Sequence, residues 1–281
     1  MDERGSDIMV MLRVSLLKYI VWPALAAMLV GCGGADTDLR SDTLVSDAHA
    51  SDVFPAVGQV WRADFGDFVF DVNFETQSTV TLGAVKGPNI GQTETVSYTA
   101  TPLREGLFAV SWTDSGGSVV HVEDFQQQLV YAFITPKNGQ PLSLQGPFTL
   151  CSVGGVSVDS CGATIVNDGN VTLDSQGPSR TAFPPVGQVW RADFGEFAFD
   201  LRFETAETLS FTEVKGPEVG RAQTVSYTST LLRMGLYAVR WTDSGGSVVQ
   251  VEDFQRGTIK SFITQSDGQT ALLQGSLTRV Q

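Results

Sequence analysis

The sequence VGQVWRADFG at residues 57–66 recurs letter for letter at 186–195, and WTDSGGSVV at 112–120 recurs at 241–249. Both stretches belong to a longer repeat, because residues 54–149 and 183–278 align without a gap and are identical at 59 of 96 positions. A unit of this length can bury a core of its own. The repeat therefore predicts two consecutive domains rather than a solenoid of short units.

Each unit is a succession of short alternating runs separated by Gly, Asp and Pro. Phe68, Phe70, Val72 and Phe74 share one face of an extended chain and polar residues occupy the other, which is typical of a half-buried strand. About eight such runs per unit fit an antiparallel sandwich or a closed up-and-down barrel. We expect the barrel, because eight strands with tight hairpins close naturally around one small ligand. The runs lie near 58–65, 68–74, 79–86, 93–101, 106–113, 118–125, 129–136 and 141–149.

The composition excludes several classes of protein. Apolar residues make up 42% and charged residues 17%, with 29 Gly and 17 Phe, which favours an all-β fold over a coiled coil, collagen or bulk disorder. A net charge of −13 would repel polyanions, so we expect no nucleic-acid partner. Two His and three Cys are too few for an ordinary zinc site, and we expect neither metal nor cofactor.

The first 31 residues predict an export signal. An apolar run at 19–30 follows Arg13 and Lys18 and is too short to span a bilayer, but it suits a signal-peptide core. It ends in LVGC at 29–32, which resembles the bacterial lipobox, in which the cysteine is lipidated and the chain is cut before it. We therefore expect a lipoprotein signal peptide at 1–31 and lipid on Cys32. A plain secretory signal, or an apolar core segment with a chance cysteine, is the alternative, and the acidic start favours translation from Met9 or Met11.

Residues 32–52 predict an acidic tether, since they contain five Asp and few apolar side chains. Gly33 follows Cys32, in place of the Asp that commonly retains such proteins at the inner membrane. We expect a lipid-anchored protein of the cell envelope, at the outer membrane of a double-membrane bacterium, facing the periplasm or the cell surface.

The predicted domains are one barrel at 53–149, a linker at 150–182 and a second barrel at 183–281. Cys151 and Cys161 enclose nine linker residues and have no counterpart in the repeats. Because an exported chain meets an oxidising compartment, we expect a local disulfide. Two free thiols or a bond between chains are the alternatives.

A run of motifs in both units resembles the MoaF-like domain, a family named after a molybdenum cofactor biosynthesis protein. The resemblance implies a calycin barrel similar to lipocalins, and it covers nearly all of both repeats. Calycins bind many different molecules and some are enzymes, so the resemblance does not fix the function. In the first unit the motifs are VKGP at 85–88, Gly91, Tyr98, Arg104, GLF at 106–108, Trp112 and VVHVEDF at 119–125.

A more distant resemblance, to phenolic acid decarboxylases, lies in SWTDSGGS at 111–118. Those enzymes hold a carboxylate with a Tyr pair and an Arg, and protonate the substrate with a Glu. The Glu position holds Asp114 here and the Arg position holds Gln92, whereas the second unit has Asp243 and Arg221. The Tyr pair falls on Trp and Ala in both units, at 61 and 63 and at 190 and 192, so most of the required roles are lost.

Candidate ligand-binding residues are aromatic or polar side chains that recur in the two units. The tryptophans either line a pocket or fill the core, and for Trp61 we expect a plug at a barrel end. Adjacent strand residues face opposite sides, so either His121 and Glu123 or Asp124 enters the barrel. The candidates are Trp61, Trp112, His121, Glu123, Trp190, Trp241, Gln250 and Glu252.

Two arginines begin strands after turns, Arg104 and its counterpart Arg233. We expect them to form structural ion pairs with Asp114 and Asp243 or to cap a barrel end, with anion binding as the alternative. Asp114 itself precedes Ser-Gly-Gly and indicates a hairpin turn.

Together these features predict a membrane-tethered calycin that binds a small apolar or aromatic molecule without catalysis. The first alternative is a pair of filled barrels whose acidic surface docks envelope proteins. The second is an enzyme, such as a lyase or decarboxylase, that works with one acid or base.

Overall fold

A computed structural model of the chain describes residues 53–158, 161, 183 and 185–280. Every regular element in these ranges is a β-strand. The first barrel contains β1 (Gln59–Asp64), β2 (Val69–Phe74), β3 (Thr79–Lys86), β4 (Thr93–Arg104), β5 (Leu107–Thr113), β6 (Gly117–Asp124), β7 (Leu129–Pro136) and β8 (Leu142–Val153), followed by the short β9 (Val156–Ser157). The second contains β10 (Val189–Asp193), β11 (Ala198–Phe203), β12 (Thr208–Lys215), β13 (Ala222–Arg233), β14 (Leu236–Asp243), β15 (Gly246–Asp253), β16 (Thr258–Gln265) and β17 (Thr270–Arg279).

Both sets of eight strands close into antiparallel up-and-down barrels, which confirms the predicted all-β double barrel. Each strand pairs with its neighbours in sequence, and β1–β8 and β10–β17 pairing completes the two rings. Strand β8 pairs with β7 up to Pro147 and with β1 from Phe148 onward, so one long strand makes the closure. It runs to Val153, beyond the boundary at 149 that the repeat alignment predicts.

One end of the first barrel is closed by a cluster of aromatic rings. The Trp61 ring stacks on Phe148 with centroids 4.9 Å apart, and it packs nearly perpendicular to the Phe125 ring with centroids 5.0 Å apart. Phe54 packs against Phe108 and Phe125 at 5.3 and 5.7 Å. The second barrel is closed in the same way, by Phe183, Trp190, Tyr237 and Phe254. Because apolar rings fill this end, any opening to the interior lies at the other.

A disulfide joins Cys151 to Cys161, with Cα atoms 4.7 Å apart, which confirms the predicted local disulfide. Cys151 belongs to β8, and the Cys161 carbonyl accepts a hydrogen bond from Arg62 Nη1 at 2.8 Å. The disulfide therefore fastens the start of the linker to the outside of the first barrel.

The two barrels pack against each other through the outer faces of equivalent strands. The shared apolar cluster combines Val120 and Val122 of β6 with their counterparts Val249 and Val251 of β15. Two charge pairs join the barrels reciprocally. Arg104 binds both carboxylate oxygens of Asp253 at 2.7 Å, and Arg233 binds both of Asp124 at 2.7 Å.

These pairs correct the expected pairing of Arg104 with Asp114 and of Arg233 with Asp243. The arginines lie on the outer barrel faces at the barrel–barrel contact, where the neighbouring barrel offers a buried aspartate. Asp114 instead accepts hydrogen bonds within its own turn, from the backbone N–H of Gly116 and Gly117 at 2.8 and 3.0 Å. Asp243 accepts one from Gly245 at 2.7 Å.

The predicted signal peptide at 1–31, the lipidation site Cys32, the acidic tether and most of the linker lie outside the described residues. Within the described ranges, no helix has the length and apolar character that crossing a membrane would need.

Candidate ligand-binding site

The first barrel contains a cavity of about 330 Å³ at the end opposite its aromatic plug. Its mouth is formed by the β3–β4 connection, which includes Asn89 and Gln92, and by the β5–β6 turn at 114–116. Its walls are mostly apolar, as small-molecule sites usually are. The main apolar lining comes from Phe65, Phe70, Val72, Leu82, Trp112 and Ile134.

Two carboxylates at the mouth, those of Glu94 and Asp114, are already bound by protein groups. Glu94 accepts hydrogen bonds from the backbone N–H and the hydroxyl of Ser115, at 2.8 and 2.6 Å. Asp114 accepts the Trp112 indole N–H at 3.1 Å, in addition to its backbone donors. The mouth is thus a fixed acidic rim, and Asp114 orients the Trp112 ring in the cavity wall.

His121 and Glu123 point into the barrel, and this settles the choice that the sequence left open on β6. His121 lines the cavity, and its Nδ1 lies 3.4 Å from Glu123 Oε1. The imidazole and the Trp112 ring pack nearly perpendicular to each other, with ring centroids 4.5 Å apart. Asp124, the neighbour of Glu123, points outward to the second barrel.

Burial favours the neutral form of both members of this pair. Desolvation lowers the pKa of His121 to about 3 and raises the pKa of Glu123 well above its ordinary value. Glu123 is fully buried, and its Oε2 has no hydrogen-bond partner among the described residues. The interior end of the cavity therefore offers neutral hydrogen-bonding groups rather than a charge.

Of the predicted tryptophans, the structure places Trp112 in the cavity wall and Trp61 in the aromatic plug. Trp190 likewise lies in the plug of the second barrel, against Phe254 at 4.8 Å. Trp241 is buried at the position that corresponds to Trp112, but its Nε1 has no partner among the described groups.

The second barrel carries larger side chains where the first has its cavity. Phe211 replaces Leu82, and its ring lies 6.1 Å from Trp241 and 6.5 Å from Phe199. Glu213 replaces Ala84, is buried, and accepts a hydrogen bond from the backbone N–H of Glu218 at 2.9 Å. Arg221, which replaces Gln92, pairs with Glu218 at the mouth. In the second barrel, Phe211 and Glu213 therefore narrow the space that corresponds to the cavity, and Arg221 narrows its mouth.

The His–Glu pair of the first barrel also changes in the second. Gln250 takes the place of His121 and donates from Nε2 to Ser261 Oγ at 3.4 Å. Glu252 is fully buried with no partner for either carboxylate oxygen in the described part of the chain, and burial raises its pKa well above the ordinary value. The two barrels thus share a fold and a buried acid but differ in the residue beside it.

The positions that resemble phenolic acid decarboxylases do not form a carboxylate clamp. Trp61 and Ala63 belong to the packed core, and the Asp114 carboxylate is held in its turn. One group of potential metal ligands is present in the described residues, Asp71 with Cys151 and Cys161. Both sulfur atoms form the disulfide and Arg62 binds both oxygens of Asp71, so this group is fully committed.

Sequence reasoning missed two features of the site. Gln92 was considered only as a lost arginine, whereas it lines the mouth of the cavity. Phe70, Val72 and Leu82 were identified as strand residues and not as cavity walls. A signal for the difference between the barrels was present in the sequence, because Leu82 and Ala84 become Phe211 and Glu213 in the second unit.

Comparisons with solved structures give weak likenesses. A Burkholderia vietnamiensis protein, provisionally described as a beta-lactamase, is 25% identical over 34% of this chain and 96% of its own, with a TM-score of 0.33. DNA polymerase sliding clamps from Pseudomonas aeruginosa and Caulobacter crescentus are 7% and 9% identical. They cover 82% and 83% of this chain and 79% and 80% of their own, with TM-scores of 0.13 and 0.15. At these TM-scores none of the three bears on function.

Among curated proteins, none matches the chain. The MoaF-like family model matches residues 57–149 and 186–278, which are the two barrels. Since these ranges cover well over half of the sequence, the chain belongs to the MoaF-like family, with two copies of its domain in tandem.

Proposed function

We propose that this protein is a non-catalytic binding protein of the cell envelope that takes a small, largely apolar molecule into the first barrel. The observation that carries the proposal is the cavity beside Trp112, with apolar walls, few polar groups and one open end. Its volume of about 330 Å³ lies near the lower end of the range of roughly 300–1,000 Å³ that is usual for small-molecule sites. The expected ligand is therefore of the size of one substituted ring or a short acyl chain.

The difference between the barrels supports a division of labour. Phe211 and Glu213 narrow the space in the second barrel that Leu82 and Ala84 leave open in the first. In this proposal one barrel binds and the other supports it through the shared interface. The alternative of a filled, docking barrel thus applies to the second barrel only.

The location rests on the sequence. The LVGC stretch at 29–32 favours lipid on Cys32, and the acidic residues that follow favour a solvated tether. The Cys151–Cys161 disulfide is compatible with an oxidising compartment. Together they support a barrel pair held at a membrane surface, where it could collect an apolar molecule.

Native mass spectrometry of the exported chain, purified from cells, tests the proposal. We expect one bound molecule per chain, with an added mass of at most a few hundred daltons given the cavity size. Trp112→Ala should abolish the adduct, because it removes the ring in the cavity wall. Trp241→Ala, the matched change in the second barrel, should retain it. Retention of the adduct by Trp112→Ala would contradict the proposal.

A further inference from the structure

Among the described residues that line the interior end of the first cavity, His121 has a ring nitrogen, Nε2, that protein contacts leave available. The imidazole lines the cavity, and only Nδ1 is engaged, with Glu123 Oε1 at 3.4 Å. Along β6, His121 lies four residues from Gly117 at the mouth. At about 3.3 Å per strand residue, its Cα lies on the order of 13 Å along the strand from Gly117, on the side away from the β5–β6 turn.

The hydrogen bond between Glu123 and His121 determines whether Nε2 of the neutral imidazole carries a hydrogen. A neutral carboxyl group has one O–H, and its only described acceptor is His121 Nδ1. The other arrangement places the proton on Oε2, which has no partner, and a buried donor without an acceptor is costly. The favoured arrangement therefore has Glu123 donating to Nδ1, which leaves Nε2 protonated and able to donate into the cavity.

We propose that the ligand of the first barrel is a neutral carbonyl compound with an apolar body, and that His121 Nε2–H donates a hydrogen bond to its carbonyl oxygen. This inference rests on the proposed function, because it names the chemical class of the molecule held in that cavity. The apolar body contacts Trp112 and the other apolar walls, and the carbonyl oxygen meets His121 Nε2–H at the interior end.

Charged ligands fit this site poorly. A buried carboxylate needs a cationic partner, and the described cavity lining contains no Lys or Arg. The carboxylates of Glu94 and Asp114 at the mouth would also repel an anion. An ammonium group has only hydrogen-bond donors, so it could not accept the hydrogen bond from Nε2–H. A neutral acceptor oxygen is the group that satisfies His121.

Three one-ring probes of similar size test the chemical class: acetophenone, ethylbenzene and benzoate. Binding to the exported chain is followed by quenching of tryptophan fluorescence. We expect acetophenone to bind about five- to tenfold more tightly than ethylbenzene, which corresponds to one net hydrogen bond. Benzoate should bind more weakly than both at pH 7.

Two further measurements assign the donor. His121→Phe keeps a ring but removes the donor, so it should abolish the preference for acetophenone while ethylbenzene still binds. Gln250→Met, the matched change in the second barrel, should leave the preference intact. In the unaltered chain, acetophenone should shift the Nε2 signal of His121 in a ¹⁵N spectrum, which contains only two histidines.

The outcomes separate this inference from the proposed function. Equal affinity for acetophenone and ethylbenzene, or an unshifted His121 Nε2 signal, would overturn the carbonyl assignment while leaving apolar binding in place. Tightest binding of benzoate would overturn it as well. If none of the probes binds and the purified chain carries no adduct, both the inference and the proposed function fail.

Discussion

Two buried carboxyl groups, those of Glu123 and Glu252, make the stability of the barrels depend on pH. Burial raises the pKa of each well above its ordinary value, so each group keeps its proton to a higher pH in the folded chain than in the unfolded chain. The unfolded chain ionises them above about pH 4.3. Their contribution to stability is therefore complete below that pH and is lost as the pH rises toward the folded pKa. The loss is on the order of 1 kcal/mol per pH unit for each group over the range in which only the unfolded chain is ionised.

Glu252→Gln should flatten this dependence, because an amide of the same shape does not ionise. We expect the free energy of unfolding to fall less steeply between pH 5 and 8 in the variant than in the unaltered chain, as measured by urea unfolding at several pH values. Glu196→Gln, at an exposed turn position, should leave the slope unchanged. Identical slopes in the Glu252 variant and the unaltered chain would show that Glu252 is ionised in the folded state.

His121 should remain neutral between pH 5 and 8. Desolvation lowers its pKa to about 3, whereas the unfolded value is near 6.5. Because the folded pKa of this base is depressed, stability is lost as the pH falls below 6.5 toward 3. A ¹⁵N titration should show no protonation of this ring between pH 8 and 5. A midpoint near 6.5 for both histidines of the chain would contradict the buried pair.

At the scale of the strand, closure of the first barrel depends on Gly146. Here β8 passes from pairing with β7 to pairing with β1, and a methyl group at this position would overlap the carbonyl oxygen of Asp64. We expect Gly146→Ala to lower the free energy of unfolding by about 1–3 kcal/mol, since the backbone must move to admit the group. Thermal and urea unfolding would measure the loss.

Gly83→Ala in β3 is the matched control for this change. A methyl group at Gly83 would approach Thr93 Cγ2 at 3.7 Å, which is an ordinary contact. We expect it to be neutral or slightly stabilising, because alanine restricts the unfolded chain more than glycine does. If both variants lower the free energy of unfolding by similar amounts, the close approach of Gly146 to Asp64 is not the reason for the loss.

The strands show what the sequence can predict and where prediction ends. Alternation in β2 correctly places Val72 and Phe74 inside and Asp71 outside, where it binds Arg62. The prediction is wrong for Phe68, which is 40% exposed, because the strand register shifts between Val69 and Phe70. Strand β6 could not be oriented, because every one of its residues is buried. One face of β6 lines the barrel interior and the other, with Val120 and Val122, packs on the second barrel. A strand buried on both sides has no solvent-exposed face, and β6 carries polar residues on both faces, so alternation gives no direction.

The cavity was still harder to predict. Eight alternating strands predict a barrel with room for a ligand, but its size depends on single replacements such as Leu82 by Phe211. The partners of Arg104 and Arg233 depend on the barrel–barrel contact, and short-range spacing contains no information about it. One signal for these pairs was present in the sequence. Arg104 and Asp124 both recur in the second unit, as Arg233 and Asp253, so each arginine could pair with the aspartate of the other unit.

For the whole molecule, the tandem repeat forms an internal counterpart of a symmetric dimer. Equivalent residues meet across the contact, with Leu107 and Val122 on one side and Leu236 and Val251 on the other. The two charge pairs exchange roles between barrels, as expected of a two-fold related interface. Burial alone would raise the pKa of Asp253, but hydrogen bonds from Arg104 and backbone groups lower it instead. The carboxylate therefore stays ionised and paired at neutral pH.

This interface should make the two barrels unfold together. Arg104→Met leaves the Asp253 carboxylate buried, with 3% of its side chain exposed, and without its cationic partner. Removal of one member of a buried pair costs about 3 kcal/mol. We expect that loss in urea unfolding, together with faster amide hydrogen exchange in both β5–β7 and β14–β16. Arg191→Met breaks the more exposed pair with Asp200, which joins two strands of the second barrel. This change should lower the free energy of unfolding by less than about 1 kcal/mol. If Arg104→Met accelerates exchange in one barrel only, the barrels are stable independently, and the second barrel cannot support the binding barrel through this contact.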